Sequence, residues 1–151
     1  MNQLEKTRRE EDFETWVTFI PDQINELKSE LPKELANNLD FKISSLDSLE
    51  KYLLENYNRE NIKTEENKFL LDRIGRYIGT VFTRNIKNAY WDIELDDEKG
   101  AFYGLPVIKV KDSSLAPFSP FSMTTALFSR NKGNFLSSIV QNSKRHLEQN
   151  I

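Results

Sequence analysis

Residues 69–82 constrain the fold of this chain more than any other part of its sequence. Their apolar side chains recur at helical spacing and nearly surround the helix: Phe69, Leu70, Ile74, Tyr77, Ile78, Val81 and Phe82. A helix that is apolar on almost every side is normally covered by other elements. We therefore predict a central helix, capped within residues 64–67 and ending at about Thr83, against which the rest of the chain packs.

Two glycines lie four residues apart on one face of this helix, Gly75 and Gly79. Each costs about 1 kcal/mol relative to alanine in a helix interior. A phosphate-binding loop would explain them, but the Lys-Ser/Thr ending and the preceding strand of such a loop are missing. We predict instead that the backbone of another element approaches one of them. We also predict that four side chains are almost fully buried: Ile74, Ile78, Val81 and Trp91.

Two amphipathic helices precede the central one. The first has a continuous apolar stripe: Phe13, Trp16, Val17, Ile20, Ile24, Leu27 and Leu31. Pro21 predicts a break near Ile20, and Pro32 ends the stripe before a short turn that carries Leu35 and Leu39. The second helix spans residues 45–57, with Ser45 or Asp47 as its cap. Residues 1–9 precede the stripe, and the sequence is compatible with their disorder.

The hydrophobic period changes from helical to alternating after the central helix. Residues 89–95 place Trp91, Ile93 and Leu95 on one face of a strand. Residues 101–103 and 105–110 predict one or two further strands, hence a hairpin or a three-stranded meander. Helices at about residues 122–129 and 135–147 follow. We predict one α+β domain over residues 1–151, with N-terminal helices packed on a small antiparallel sheet (about residues 89–110), then C-terminal helices.

Composition excludes several classes of chemistry. The chain has no cysteine, so disulfides, thiolate catalysis and cysteine-ligated zinc are excluded. The charged first ten residues do not resemble a signal peptide, and no stretch reaches the roughly 18 apolar residues of a membrane span. We therefore expect a cytoplasmic protein. His146, the only histidine, follows Lys144 and Arg145 near the end of the last helix, where a cation suits the helix dipole. We predict no catalytic residue, cofactor or bound metal.

Charge is unevenly distributed along the chain. Residues 1–66 have a net charge of −7 and residues 67–151 a net charge of +4. An acidic face complements a basic protein and accelerates association with it. We predict a non-catalytic protein-binding module with a basic protein partner, contacted through Glu26, Glu30 and Glu34. Nucleic acid is not expected, because the lysines and arginines of the second half accompany no groove-reading motif.

The sequence is compatible with two other functions. A metal-binding or hydrolytic domain would use Asp92, Glu94 and Asp96, because carboxylates are preferred ligands of cations such as calcium. Their spacing lacks the central glycine and distal glutamate of a calcium-binding helix–loop–helix. The third function is a small oligomeric structural protein that buries its exposed aromatic residues between copies.

One stretch resembles a known group of proteins. Gly75-Arg76-Tyr77-Ile78-Gly79 on a helix, followed by Tyr90-Trp91 on a strand and an acidic turn, is similar to small uncharacterised bacterial α+β domains. Some of those are immunity proteins of polymorphic toxin systems. The resemblance covers about residues 69–110. It implies an α+β fold and an immunity-type function, and it assigns a structural role to the motif rather than a functional residue.

Overall fold

The fold is α+β, as predicted. The computed structural model describes residues 1–149, in which the elements follow the order α1 (Gln3–Thr18), α2 (Ile20–Glu30), α3 (Lys33–Asn38), α4 (Ser45–Asn56), α5 (Lys68–Asn85), β1 (Ala89–Ile93), β2 (Pro106–Val110), α6 (Pro120–Arg130) and α7 (Phe135–Gln149). Within that range, none of the helices combines the length and apolar character needed to cross a bilayer.

Helix α5 occupies the centre of the fold. It packs against α2, α6, α7 and both strands, and Ile74, Ile78 and Val81 are fully buried as predicted. Its first turn differs from the prediction, because Phe69 is 63% exposed. The N-cap position is Asn67, within the predicted range 64–67, but no side chain there caps the helix. The residues before α5 form two short 3₁₀ turns, the first of which buries Ile62.

The two glycines of α5 make room for aromatic rings. A Cβ atom at Gly79 would lie 2.0 Å from Cζ2 of Trp91, and one at Gly75 would lie 2.5 Å from Cε1 of Phe121. A close approach therefore exists, but the prediction of a backbone there is wrong. The strand side chain and the first turn of α6 fill the space instead. Trp91 is only partly buried, contrary to the prediction, and it packs edge-on against Trp16 at a ring distance of 5.0 Å.

The proline-induced break lies where the sequence predicts it. Helix α1 ends at Thr18, and α2 begins at Ile20 with Pro21 in its first turn, where no amide donor is needed. The predicted stripe faces the core on both sides of the break, with Phe13, Ile24 and Leu27 buried. Residues 3–9, for which the sequence was compatible with disorder, are helical in the structure.

Helix α4 is capped differently from the prediction. It begins at Ser45 without any side-chain cap, so the assignment of Ser45 or Asp47 as the cap is wrong. The Ser45 hydroxyl donates instead to the backbone oxygen of Lys42 and shares a hydrogen bond of 2.6 Å with the Tyr77 hydroxyl. The start of α4 is thus held by the central helix rather than by its own first turn.

The sheet contains two strands among the described residues. Strands β1 and β2 pair antiparallel, with Trp91 opposite Ile108. Residues 101–103, predicted as strand, form turns, and the backbone N–H of Gly104 (φ +76°) donates to Glu94 at 2.7 Å. On the other side of β2 there is no third strand among the described residues, only an isolated β-bridge. In this bridge Ile108 and Phe118 exchange backbone hydrogen bonds of 2.8 and 2.9 Å. Of the two predicted arrangements, the structure therefore has the antiparallel hairpin and not the three-stranded meander.

A buried carboxylate joins α4 to α7. Glu50 is fully buried and accepts hydrogen bonds from the backbone N–H groups of Phe135 (3.0 Å) and Leu136 (2.8 Å). The first amides of a helix have no partner within the helix and carry partial positive charge, so a carboxylate there satisfies two donors at once. Glu50 thereby fixes the C-terminal helix on the core.

Candidate functional site

The three predicted contact residues lie on the exposed side of α2 and in the first turn of α3. Glu26, Glu30 and Glu34, which together we call the acidic face, are all exposed. The apolar side of α2 is inserted into the core through Ile24 and Leu27, and this orientation directs Glu26 and Glu30 outwards.

The three glutamates differ in their pairing. Glu30 forms an ion pair with Arg73 of α5, which also donates a 2.9 Å hydrogen bond to Gln23. Within residues 1–149, Glu26 and Glu34 have no ion-pair partner. The structure therefore leaves two of the predicted carboxylates free to contact a partner and commits the third to the fold.

The second acidic group, Asp92, Glu94 and Asp96, is divided among internal partners. Asp92 pairs with Lys109 on the neighbouring strand at 2.8 Å, and Asp96 pairs with Lys6 of α1 at 2.6 Å. One oxygen of Glu94 accepts the backbone N–H groups of the two residues after Leu95, at 3.0 and 3.2 Å. No group of three histidine or carboxylate side chains within residues 1–149 is arranged to hold a metal ion.

The shifted pKa values of three of these paired groups agree with their use as links between elements of the fold. Hydrogen bonding and charge attraction within their pair raise the pKa of Lys6 and lower that of Asp96. The hydrogen bond to Asp92 likewise raises the pKa of Lys109. These carboxylates join the strands to each other and the hairpin to α1.

A pocket that the sequence did not predict lies between α1, α5, the hairpin and α6. This aromatic pocket has a volume of about 360 Å³, and its apolar lining consists of Phe13, Trp16, Ile93, Leu105, Pro106 and Phe121. Three charged residues also line it: Arg9, Asp12 and Asp72. The lining residues come from α1, α5, the hairpin and α6, so no local sequence pattern predicts the pocket.

The Trp16 side of the pocket is fixed by a partly buried polar network. The Trp16 indole donates to Asp72 at 2.9 Å, and the Arg76 guanidinium donates to the other oxygen of Asp72 at 2.8 Å. Arg76 also donates to the backbone oxygen of Trp16 and lies 4.3 Å from its ring. Trp91 packs edge-on against Trp16 at 5.0 Å. The sequence placed Trp16 on the apolar stripe of the first helix and Arg76 in the glycine motif of the central helix, and it did not predict their contact.

A second cleft lies at the other end of α5. It has a volume of about 630 Å³ and is bordered by residues 85–88, residues 110–114 and the last turns of α7. His146 lines it, together with charges of both signs: Lys87, Lys111, Lys144, Asp112 and Glu148. Asn88 and Asp112 have left-handed backbones here (φ +69° and +57°), a conformation that Asn and Asp tolerate well.

Comparison of the chain with protein-family models, with curated proteins and with solved structures found no match. Its function is therefore inferred from its own residues.

Proposed function

We propose that this chain is a non-catalytic protein-binding module whose partner is a basic protein that contacts the acidic face. The observation that carries the proposal is the exposure of Glu26 and Glu34, without internal ion pairs, on the half of the chain whose net charge is −7. An immunity-type inhibitor of a bacterial toxin is the form of this function that the resemblance over residues 69–110 favours.

The packing of α2 supports such a role. Ile24 and Leu27 anchor the helix in the core, and the pair between Glu30 and Arg73 ties its last turn to α5. A charged surface on a rigid element loses little conformational freedom on binding. Its carboxylates also attract a basic partner from a distance and raise the association rate.

The test reverses the two free carboxylates together, Glu26→Lys with Glu34→Lys. Both residues are exposed and outside the internal ion pairs, so each change should alter stability by no more than about 0.5 kcal/mol. Glu55→Lys with Glu148→Lys is the matched control, because it makes the same charge change at exposed positions of α4 and α7. Each protein would serve as bait for affinity capture, and the captured partner would then be purified.

Stopped-flow association with the purified partner gives the decisive measurement. We expect the double reversal to slow association about tenfold at low salt and less at high salt, because screening shortens the range of the attraction. The control should associate like the unchanged protein. An association rate indifferent to salt and to the double reversal, or a partner that binds through an acidic surface, would overturn the proposal.

A further inference from the structure

We propose that the aromatic pocket binds a free amino acid with an apolar side chain, held as its zwitterion by Arg9 and Asp12. These two residues stand three positions apart on α1, which places their side chains on the same face of the helix. Both line the pocket, and neither forms an ion pair with any residue in the range 1–149. A cation and an anion, neither of them held in an ion pair, therefore flank one largely apolar cavity.

The surroundings of Arg9 leave part of its guanidinium available. One terminal nitrogen, Nη1, donates a long hydrogen bond of 3.4 Å to the Tyr103 hydroxyl, and the guanidinium carbon lies 5.3 Å from that ring. The other terminal nitrogen lies over Gly104, where a Cβ atom would be only 2.5 Å away. The glycine thus allows the guanidinium to lie beside the pocket, where it can donate to a carboxylate of a ligand.

The carboxylate of Asp12 completes the recognition. Asp12 is exposed and accepts no hydrogen bond from the described part of the chain, whereas both oxygens of Asp72 are occupied by Trp16 and Arg76. Asp12 is therefore the carboxylate available to an ammonium group. A ligand with one charge leaves one of the two α1 side chains unpaired, whereas an α-amino acid carries an ammonium group and a carboxylate on the same carbon atom.

The cavity determines which side chain such a ligand carries. Its volume of about 360 Å³ falls within the range of small-molecule sites, and six of its lining residues are apolar. The network of Trp16, Asp72 and Arg76 holds the indole in place before any ligand arrives, which lowers the entropic cost of binding. An aliphatic or aromatic side chain fits this environment, and a charged side chain is excluded by its desolvation cost.

The experiment titrates the purified chain with L-leucine while tryptophan fluorescence is recorded. The chain has two tryptophans: Trp16 lines the pocket, and Trp91 packs against the ring of Trp16. We expect a saturable change below about 20 mM, as for a ligand with a millimolar Kd. N-acetyl-L-leucine amide, which has the same side chain but neither charge, and L-glutamate, which has both charges but an acidic side chain, should bind at least about tenfold more weakly.

Variants of α1 assign the effect to the two charges. Arg9→Gln and Asp12→Asn should each weaken L-leucine binding about tenfold. The controls, Arg8→Gln and Glu11→Gln, change neighbouring exposed residues outside the pocket and should leave binding unchanged. Circular dichroism of each variant verifies the fold, and Arg9→Lys, which keeps the positive charge, should restore part of the affinity.

Three results would overturn the proposal: no saturable change with L-leucine, equal binding of the blocked amide, or unchanged binding by Arg9→Gln and Asp12→Asn. The site is independent of the acidic face. The variant with Glu26→Lys and Glu34→Lys should therefore bind L-leucine like the unchanged protein, and failure of either proposal leaves the other standing.

Discussion

Replacement of Gly79 by alanine tests the packing of the central helix, because two known effects oppose each other there. Alanine stabilises a helix interior by about 1 kcal/mol relative to glycine. The added Cβ would lie 2.0 Å from Cζ2 and 2.1 Å from Cη2 of Trp91, so the ring has to retreat by about 1.4 Å to reach the 3.4 Å of an ordinary contact. Trp16 packs against that ring at 5.0 Å and limits its retreat.

The balance of the two effects sets the expected magnitude. Overpacking typically costs about 1–3 kcal/mol, and a displacement this large favours the upper end of that range. After the gain in helix propensity is subtracted, we expect Gly79→Ala to lower the free energy of unfolding by about 2 kcal/mol. Urea denaturation followed by circular dichroism measures it.

A double-mutant cycle isolates the cause. In a Trp91→Leu background the ring is absent, so Gly79→Ala should become neutral or stabilising by up to about 1 kcal/mol. If the alanine stabilises the unchanged protein, or costs the same in both backgrounds, then contact with Trp91 is not the reason for the glycine.

Two further predictions concern interactions between distant parts of the chain. Glu50→Ala leaves one buried and one partly buried amide donor of α7 without a partner and should lower the free energy of unfolding by about 2–4 kcal/mol. Glu50→Gln keeps one acceptor and should cost less, so equal losses for the two variants in urea denaturation would contradict this account. The pair of Asp96 with Lys6 predicts a pH dependence. In the folded state the pKa of Asp96 lies below its ordinary value of 3.8. The pair therefore contributes its full stability above about pH 3.8, and this contribution is lost as the pH falls through the folded-state pKa. The stability difference between the unchanged protein and Asp96→Asn should therefore shrink in urea denaturation below about pH 4, and a difference independent of pH would refute the pairing.

The α+β class and the approximate positions of the helices and strands could be predicted from the sequence. Periodicity is a local property, because side chains three or four residues apart share a helix face and alternate residues share a strand face. The break before Pro21 has the same origin, since it depends only on the geometry of proline and its neighbour. These features need no knowledge of what packs against them.

The ends of the helices were less predictable. Thr64 and Ser45 are suitable caps by residue type, yet α5 begins after two 3₁₀ turns and Ser45 bonds to Tyr77, 32 residues away. A cap contributes only about 1 kcal/mol. Burial of Ile62, or a hydrogen bond to the central helix, is large enough to outweigh it.

The partners of side chains across the chain were decided by the tertiary structure alone. The sequence shows that Gly79 needs a close neighbour, but it does not show that the neighbour is Trp91. It also shows a glutamate at position 50, but not the two backbone amides, 85 and 86 residues away, that donate hydrogen bonds to it. The charges of the acidic face were readable as residue types, whereas the pairing of Glu30 with Arg73 was not. The aromatic pocket exists only where α1, α5, the hairpin and α6 meet. Sequence patterns report which face of an element is apolar, and only the packing of those faces against one another determines which atoms touch.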